Sequence, residues 1–156
     1  MKKLVYLFIA AFLFVGCSSM QQAQNLTNCK FALTSVNLTD YNLTSLGFDI
    51  VISITNPSRT ETASLKRFVG KLTVNDDPMA DVTLKDIHIE PNSTKQTKAK
   101  VSVPLSAVSS KLIGLLSMGS GTLDYHLTGT MYFEGPLGVE IPVPVDVGRV
   151  GSHNSK

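Results

Sequence analysis

The stretch Phe48-Asp49-Ile50-Val51-Ile52-Ser53-Ile54-Thr55-Asn56-Pro57 decides the fold. Phe48, Ile50, Ile52 and Ile54 share one parity, and Asp49, Val51, Ser53 and Thr55 share the other. That alternation is the period of a strand, with one face in a core and one toward water, and not that of a helix. The β-branched isoleucines fit a pleated surface. Pro57 has no N–H and forces Asn56 into an extended conformation, so the strand ends there. The Asn56 carboxamide can then satisfy backbone groups where the chain leaves the strand.

The same period extends along the chain. Phe68, Gly70, Leu72 and Val74 alternate with Val69, Lys71 and Thr73, and Ala99, Val101 and Val103 with Lys98, Lys100 and Ser102. The longest stripe is Leu123, Tyr125, Leu127, Gly129, Met131 and Phe133. Between Val82 and Ile89 the parity changes, which predicts a bulge at Lys85-Asp86. In the run Val139–Val147, Pro142 and Pro144 remove donors from one side only. The run is therefore expected to pair through the side served by Ile141, Val143, Val145 and Val147 and to form an edge strand. One segment breaks the pattern, because Leu105, Val108, Leu112 and Leu115 recur at helical spacing. A short helix is expected from about Ser106 to Met118, with Ser106 as N-cap, Gly119 as the stop and Gly114 as a weak point inside. Turn residues fall at Asn56-Pro57, Asn75–Pro78, Pro91–Ser93 and Gly135-Pro136. About seven strands and one short helix in this length predict an all-β, immunoglobulin or fibronectin III-like β-sandwich.

The N-terminus carries an address. Lys2 and Lys3 precede the apolar run Leu4–Val15, as in a bacterial export signal over Met1–Gly16. Phe14-Val15-Gly16-Cys17 resembles a lipobox, in which a small residue precedes the cysteine that is acylated and becomes the new N-terminus. A thioether requires the sulfur, and several acyl chains on Cys17 would hold the protein on a membrane where one chain is marginal. Residues 17–28 read as lipidated terminus and polar tether, 29–150 as the domain, and 151–156 as a polar tail. By resemblance to Gram-negative sorting, Ser18 after the cysteine implies the outer membrane, facing the periplasm. With Cys17 acylated, Cys29 has no partner in the chain and is expected to be a small buried or half-buried residue. The whole chain has 14 Lys plus Arg against 12 Asp plus Glu; subtracting Lys2 and Lys3 from 14 leaves 12, equal to the acidic count. A neutral mature chain gives no electrostatic basis for binding nucleic acid.

With the strands placed, the order of motifs resembles the late embryogenesis abundant type 2 family, also called the water stress and hypersensitive response domain. The resemblance runs from about Cys29 to Val150. It rests on Phe48–Pro57 with its Asn56-Pro57 pair, Phe68–Asn75, the turn Ile89-Glu90-Pro91-Asn92-Ser93-Thr94, Val103-Pro104-Leu105, the helix, and Leu123-Asp124-Tyr125-His126-Leu127-Thr128-Gly129. Ser58 and Asp81 depart from the family's pattern. The resemblance implies a non-enzymatic sandwich associated with desiccation and other stresses, and a lipid-binding role has been proposed for relatives.

Residues able to do chemistry are few. His88 and His126 fall on outward strand positions and His153 in the polar tail, and no nucleophile elbow, zincin helix or zinc cysteine pair is present. Asp124 and His126 share a face, the start of an acid–base pair or an ordinary surface pairing. Asp76, Asp77 and Asp81 lack the spacing, glycine and distal glutamate of a calcium loop. The Asn-x-Ser/Thr sequences at Asn25, Asn37, Asn42 and Asn92 have no role in a bacterium. No catalytic residue, metal or cofactor is expected. Two functions remain: a membrane-tethered stress protectant, or a carrier of a lipid or apolar ligand facing Ile113, Leu116 and Met118 on the helix, residues whose ordinary role is to close one end of the sandwich. A third is an adaptor for an envelope protein, using a free sheet edge.

Overall fold

The computed structural model describes residues 23–117 and 122–152. Seven strands form two antiparallel sheets: β1 (Lys30–Tyr41), β2 (Ser45–Asn56) and β5 (Ser93–Pro104) in one, and β4 (Asp77–Ile89), β3 (Ala63–Val74), β6 (Thr122–Glu134) and β7 (Glu140–Ser152) in the other, in those orders. The fourth strand thus pairs with the third and not with the fifth. That distinguishes the fold from a constant-type immunoglobulin domain, whose fourth strand lies beside the fifth, and makes it fibronectin III-like. In β2 the even-numbered positions from Leu46 to Asn56 are all buried while the odd ones are half-exposed, as the alternation requires. Ile50, Ile52 and Ile54 of β2 meet Phe68, Leu72, Leu127 and Phe133 from the other sheet in one core. Each such side chain contributes about 1.5–3 kcal/mol by leaving water.

Parity changes on two strands at once. In β4, Lys85 and Asp86 are both exposed between buried Leu84 and Ile87, with Asp86 at φ 53°, so the expected bulge is present. β3 changes phase at the same level: Ala63 and Leu65 are buried at odd positions, Phe68, Gly70, Leu72 and Val74 at even ones. The β3–β4 register therefore continues through the irregularity, and the slip appears against β6, between Leu65 and Arg67. The residues displaced outward form ion pairs, Lys66–Glu134 and Arg67–Glu140, both at 2.9 Å, and Arg67 also lies 3.8 Å from the centre of the Tyr132 ring.

Gly70 and Gly129 face each other across the β3–β6 ladder beneath the buried ring of Phe68. A Cβ on Gly129 would lie 2.5 Å from Gly70 Cα and 2.9 Å from Phe68 Cε2, and one on Gly70 would lie 2.6 Å from the Thr128 carbonyl oxygen. These glycines are therefore the space the phenylalanine occupies. β7 is an edge strand, as its prolines require, and its ladder to β6 runs through Pro142 and Pro144 unbroken.

The helical connection from β5 to β6 differs from expectation. A 3-10 turn, Leu105–Ala107, comes first, and the α-helix α1 runs from Ser110 to Ser117. Ser109 rather than Ser106 takes the capping position, its Oγ accepting from the Leu112 N–H at 3.2 Å and donating to Asp77 Oδ2 at 2.9 Å. The apolar spacing spanned both pieces because Leu105, Val108 and Leu112 all pack on the core, but Val108 itself is extended. Gly119 and Met118 lie outside the described residues. Gly129→Ala is expected to cost at least about 1–3 kcal/mol by overpacking. Gly114→Ala, whose methyl meets nothing within 4 Å, should stabilise by up to about 1 kcal/mol. Denaturant unfolding of the two variants checks this, and the same sign for both would refute the packing account.

Candidate functional site

The strand β2 ends in a buried polar contact. Asn56 and Ser58 are the buried polar residues of the described chain, 2% and 7% exposed. The Asn56 NH₂ donates to the carbonyls of Glu61 (2.8 Å), Ile89 (3.1 Å) and Glu90 (3.3 Å), while its Oδ1 accepts from Ser58 N–H at 3.1 Å. Two hydrogens serve three acceptors, so one is shared. Ser58 Oγ accepts from Glu61 N–H at 3.1 Å, and its carbonyl accepts from Asn92 N–H at 2.6 Å. The connections β2–β3 and β4–β5 are thereby joined. The N-terminal segment closes the same end: residues 23–27 are helical, Leu26 is in the core, and Asn25 Nδ2 donates to Glu61 Oε2 at 3.3 Å. Cys29 is buried there too, and desolvation pushes its thiol up to about 11, so it stays protonated at neutral pH.

The other end carries the helical connection and a groove. Where the edges of β4 and β5 face each other, the sheets part to leave a groove of about 500 Å³. Leu72, Met79 and Val103 form an apolar base, and Lys71, Asp81 and Ser102 a polar rim, with Pro104 and Ala107 at one end. Its size and lining suit a small apolar ligand. Of the helix residues singled out in the sequence, Ile113 is half-buried against the core and does not line this groove. The Leu116 side chain and Met118 lie outside the described residues. Met79 and Val103 escaped sequence reasoning because a residue lining a groove between sheet edges alternates like any core residue.

Groups able to do chemistry are dispersed. His126 Nε2 pairs with Asp146 Oδ1 at 3.1 Å across the β6–β7 ladder and not with Asp124, whose backbone N–H is held by Asn75 Oδ1 at 2.9 Å. Ser64 Oγ and His88 Nδ1 lie 3.0 Å apart on the surface, a contact between neighbouring strands with no carboxylate orienting the ring. Asn75 and Asp76 form a tight two-residue turn at φ 50° and 68°, and Asp77 is engaged by Ser109, so the acidic turn is a hairpin. Among the described residues no group of acidic, histidine or cysteine side chains could hold a metal ion. Cys17 and His153 lie outside the described residues.

The described residues thus form a β-sandwich with an apolar groove at one end and dispersed polar groups. The family model described as late embryogenesis abundant protein (LEA_2) matches residues 51–148, and the chain belongs to that family. Members are generally non-enzymatic. Comparison with curated proteins gave no match. Among solved structures, the chain is similar to an Arabidopsis thaliana protein in solution (TM-score 0.63, 17% identity, covering 81% of this chain and 82% of that one). It is also similar to a solution structure described as a late embryogenesis abundant (LEA) protein (0.54, 17%, 95% and 88%) and to a crystal structure from Archaeoglobus fulgidus (0.51, 11%, 80% and 98%). At these identities the likenesses establish the fold. Asn56→Ala leaves three carbonyls and an N–H without their partner, and is expected to destabilise by about 1–3 kcal/mol or more. Asn56→Asp, which sets an oxygen against those carbonyls, should cost at least as much. Thermal unfolding at the wild-type midpoint for both would show that the contact is dispensable.

Proposed function

We propose that this is a membrane-anchored, non-enzymatic late embryogenesis abundant lipoprotein of the bacterial cell envelope that contributes to desiccation or other stress tolerance. The observation that carries the reading is the sequence order: an apolar export segment, Leu4–Val15, then Gly16-Cys17, then a sandwich whose first strand starts at Lys30 and whose residues 51–148 match the family. Acylated Cys17 holds the domain on a membrane, and Ser18 favours the outer one, with the domain in the periplasm. The outer face of the β1-β2-β5 sheet carries polar contacts, Thr34–Ser53, Thr55–Thr94 and Lys98–Asp49. Such a surface can act by contact, without chemistry. In cells, exchanging residues 1–17 for an ordinary cleaved export leader, which delivers the domain without Cys17, is expected to move the protein out of the membrane fraction and to reproduce the loss of survival on drying caused by deleting the gene. Retention in the membrane fraction would refute the anchor. Unchanged survival of the deletion strain would refute the stress role.

The groove between β4 and β5 favours a second reading, an envelope carrier of a lipid or other apolar ligand. Native mass spectrometry of the detergent-extracted protein decides between them. A stoichiometric extra mass, lost in Val103→Asp, supports the carrier; a bare protein mass leaves the protectant.

A further inference from the structure

Five described residues other than glycine have positive φ. Asn75, Asp76, Asp86 and Asn92 are types whose short polar side chains tolerate the left-handed region. The fifth is Leu137, at φ 60° and ψ 21° in the β6–β7 turn. Its side chain is 101% exposed, so no packing offsets either the strained backbone or the wetted surface. Val139, two residues on, is 61% exposed. The turn does not need a leucine, since it is fixed by backbone bonds from Gly135 N–H to the Val139 carbonyl (2.7 Å) and from Gly138 N–H to the Gly135 carbonyl (3.2 Å). Asparagine or glycine would make the same turn with less strain and no exposed apolar surface.

What covers this tip is indicated by where the chain arrives. Phe31, at the start of β1, packs on Phe133 at 6.4 Å between ring centres, and Leu26 enters the core at that end. The N-terminal segment therefore reaches the sandwich at the end that carries residues 135–139. From Ala23 back to Cys17 is six residues, which span at most about 22 Å. Charge beside the tip is neutralised, because Lys66 pairs with Glu134 and Arg67 with Glu140 on the flanking strands.

We propose that Leu137 and Val139 insert into the surface of the membrane that carries Cys17, so that the sandwich stands end-on with its helical end away from the bilayer. This rests on the anchoring read from Cys17. Leu43, in the β1–β2 turn at the helical end, is 95% exposed and in this orientation faces water.

The chain contains no tryptophan, so a single one reports its own position. Leu137→Trp and Leu43→Trp are each made in the full-length protein, purified with any lipid it carries and mixed with phosphatidylcholine vesicles bearing brominated acyl chains. Trp at 137 is expected to shift to the blue and lose about half its emission or more, and Trp at 43 to remain water-like. The quenching should persist in about 0.5 M salt, because the contact is apolar. Absence of quenching at 137, equal quenching at 43, or loss of quenching in salt would each overturn the proposal. The mass of the N-terminal peptide in the same preparation reports acylation separately. An unmodified Cys17 would sink the anchor, while quenching at 137 on the added vesicles would still decide the tip.

Discussion

One carboxamide determines how the sandwich closes. Two connections that cross from sheet to sheet, β2–β3 and β4–β5, must meet at the end of β2, and both bring carbonyls that the core cannot hydrate. Asparagine answers this with an NH₂ for the carbonyls and an oxygen for Ser58 N–H on one rigid plane, which no hydroxyl or carboxylate can match. Pro57 then keeps Asn56 extended, so that its side chain points inward as its parity requires. The pair is thus structural chemistry at a fixed point, tying the β2–β3 connection to the end of β4.

Volume imposes a comparable constraint at mid-sheet. Phe68 fits only because two strands each omit a side chain at the same register, Gly70 opposite Gly129. Just beyond, β3 and β4 change phase together, which lets the sheet bend without breaking their ladder. The bend turns Lys66 and Arg67 outward toward Glu134 and Glu140. Those pairs are exposed to solvent, which screens them, so they add little to stability.

Most of the fold was legible in the sequence, for a physical reason. Alternation in β2 and β6, the prolines of β7 and the phase change at Lys85-Asp86 are consequences of a period that burial enforces. Less was legible where two segments had to be known together. The β3 slip at Lys66 was written in the parity of Leu65 and Phe68, but it shows only against β6. Ser109 displaced Ser106 as the cap because Asp77, distant in sequence, holds its hydroxyl. The groove was invisible because its base residues alternate like core, and Leu137 was invisible because its strain is a property of φ rather than of composition.

The prolines of β7 have a consequence for molecules held in a plane. Proteins confined to a surface meet one another far more often than the same number in solution, and they meet side by side, which is how sheet edges join. Pro142 and Pro144 leave the outer rim of β7 without two of the donors a neighbouring strand would need. For a domain anchored as proposed, that rim cannot extend a ladder to a neighbour, so crowding raises encounter frequency there without zipping this edge into a fibre.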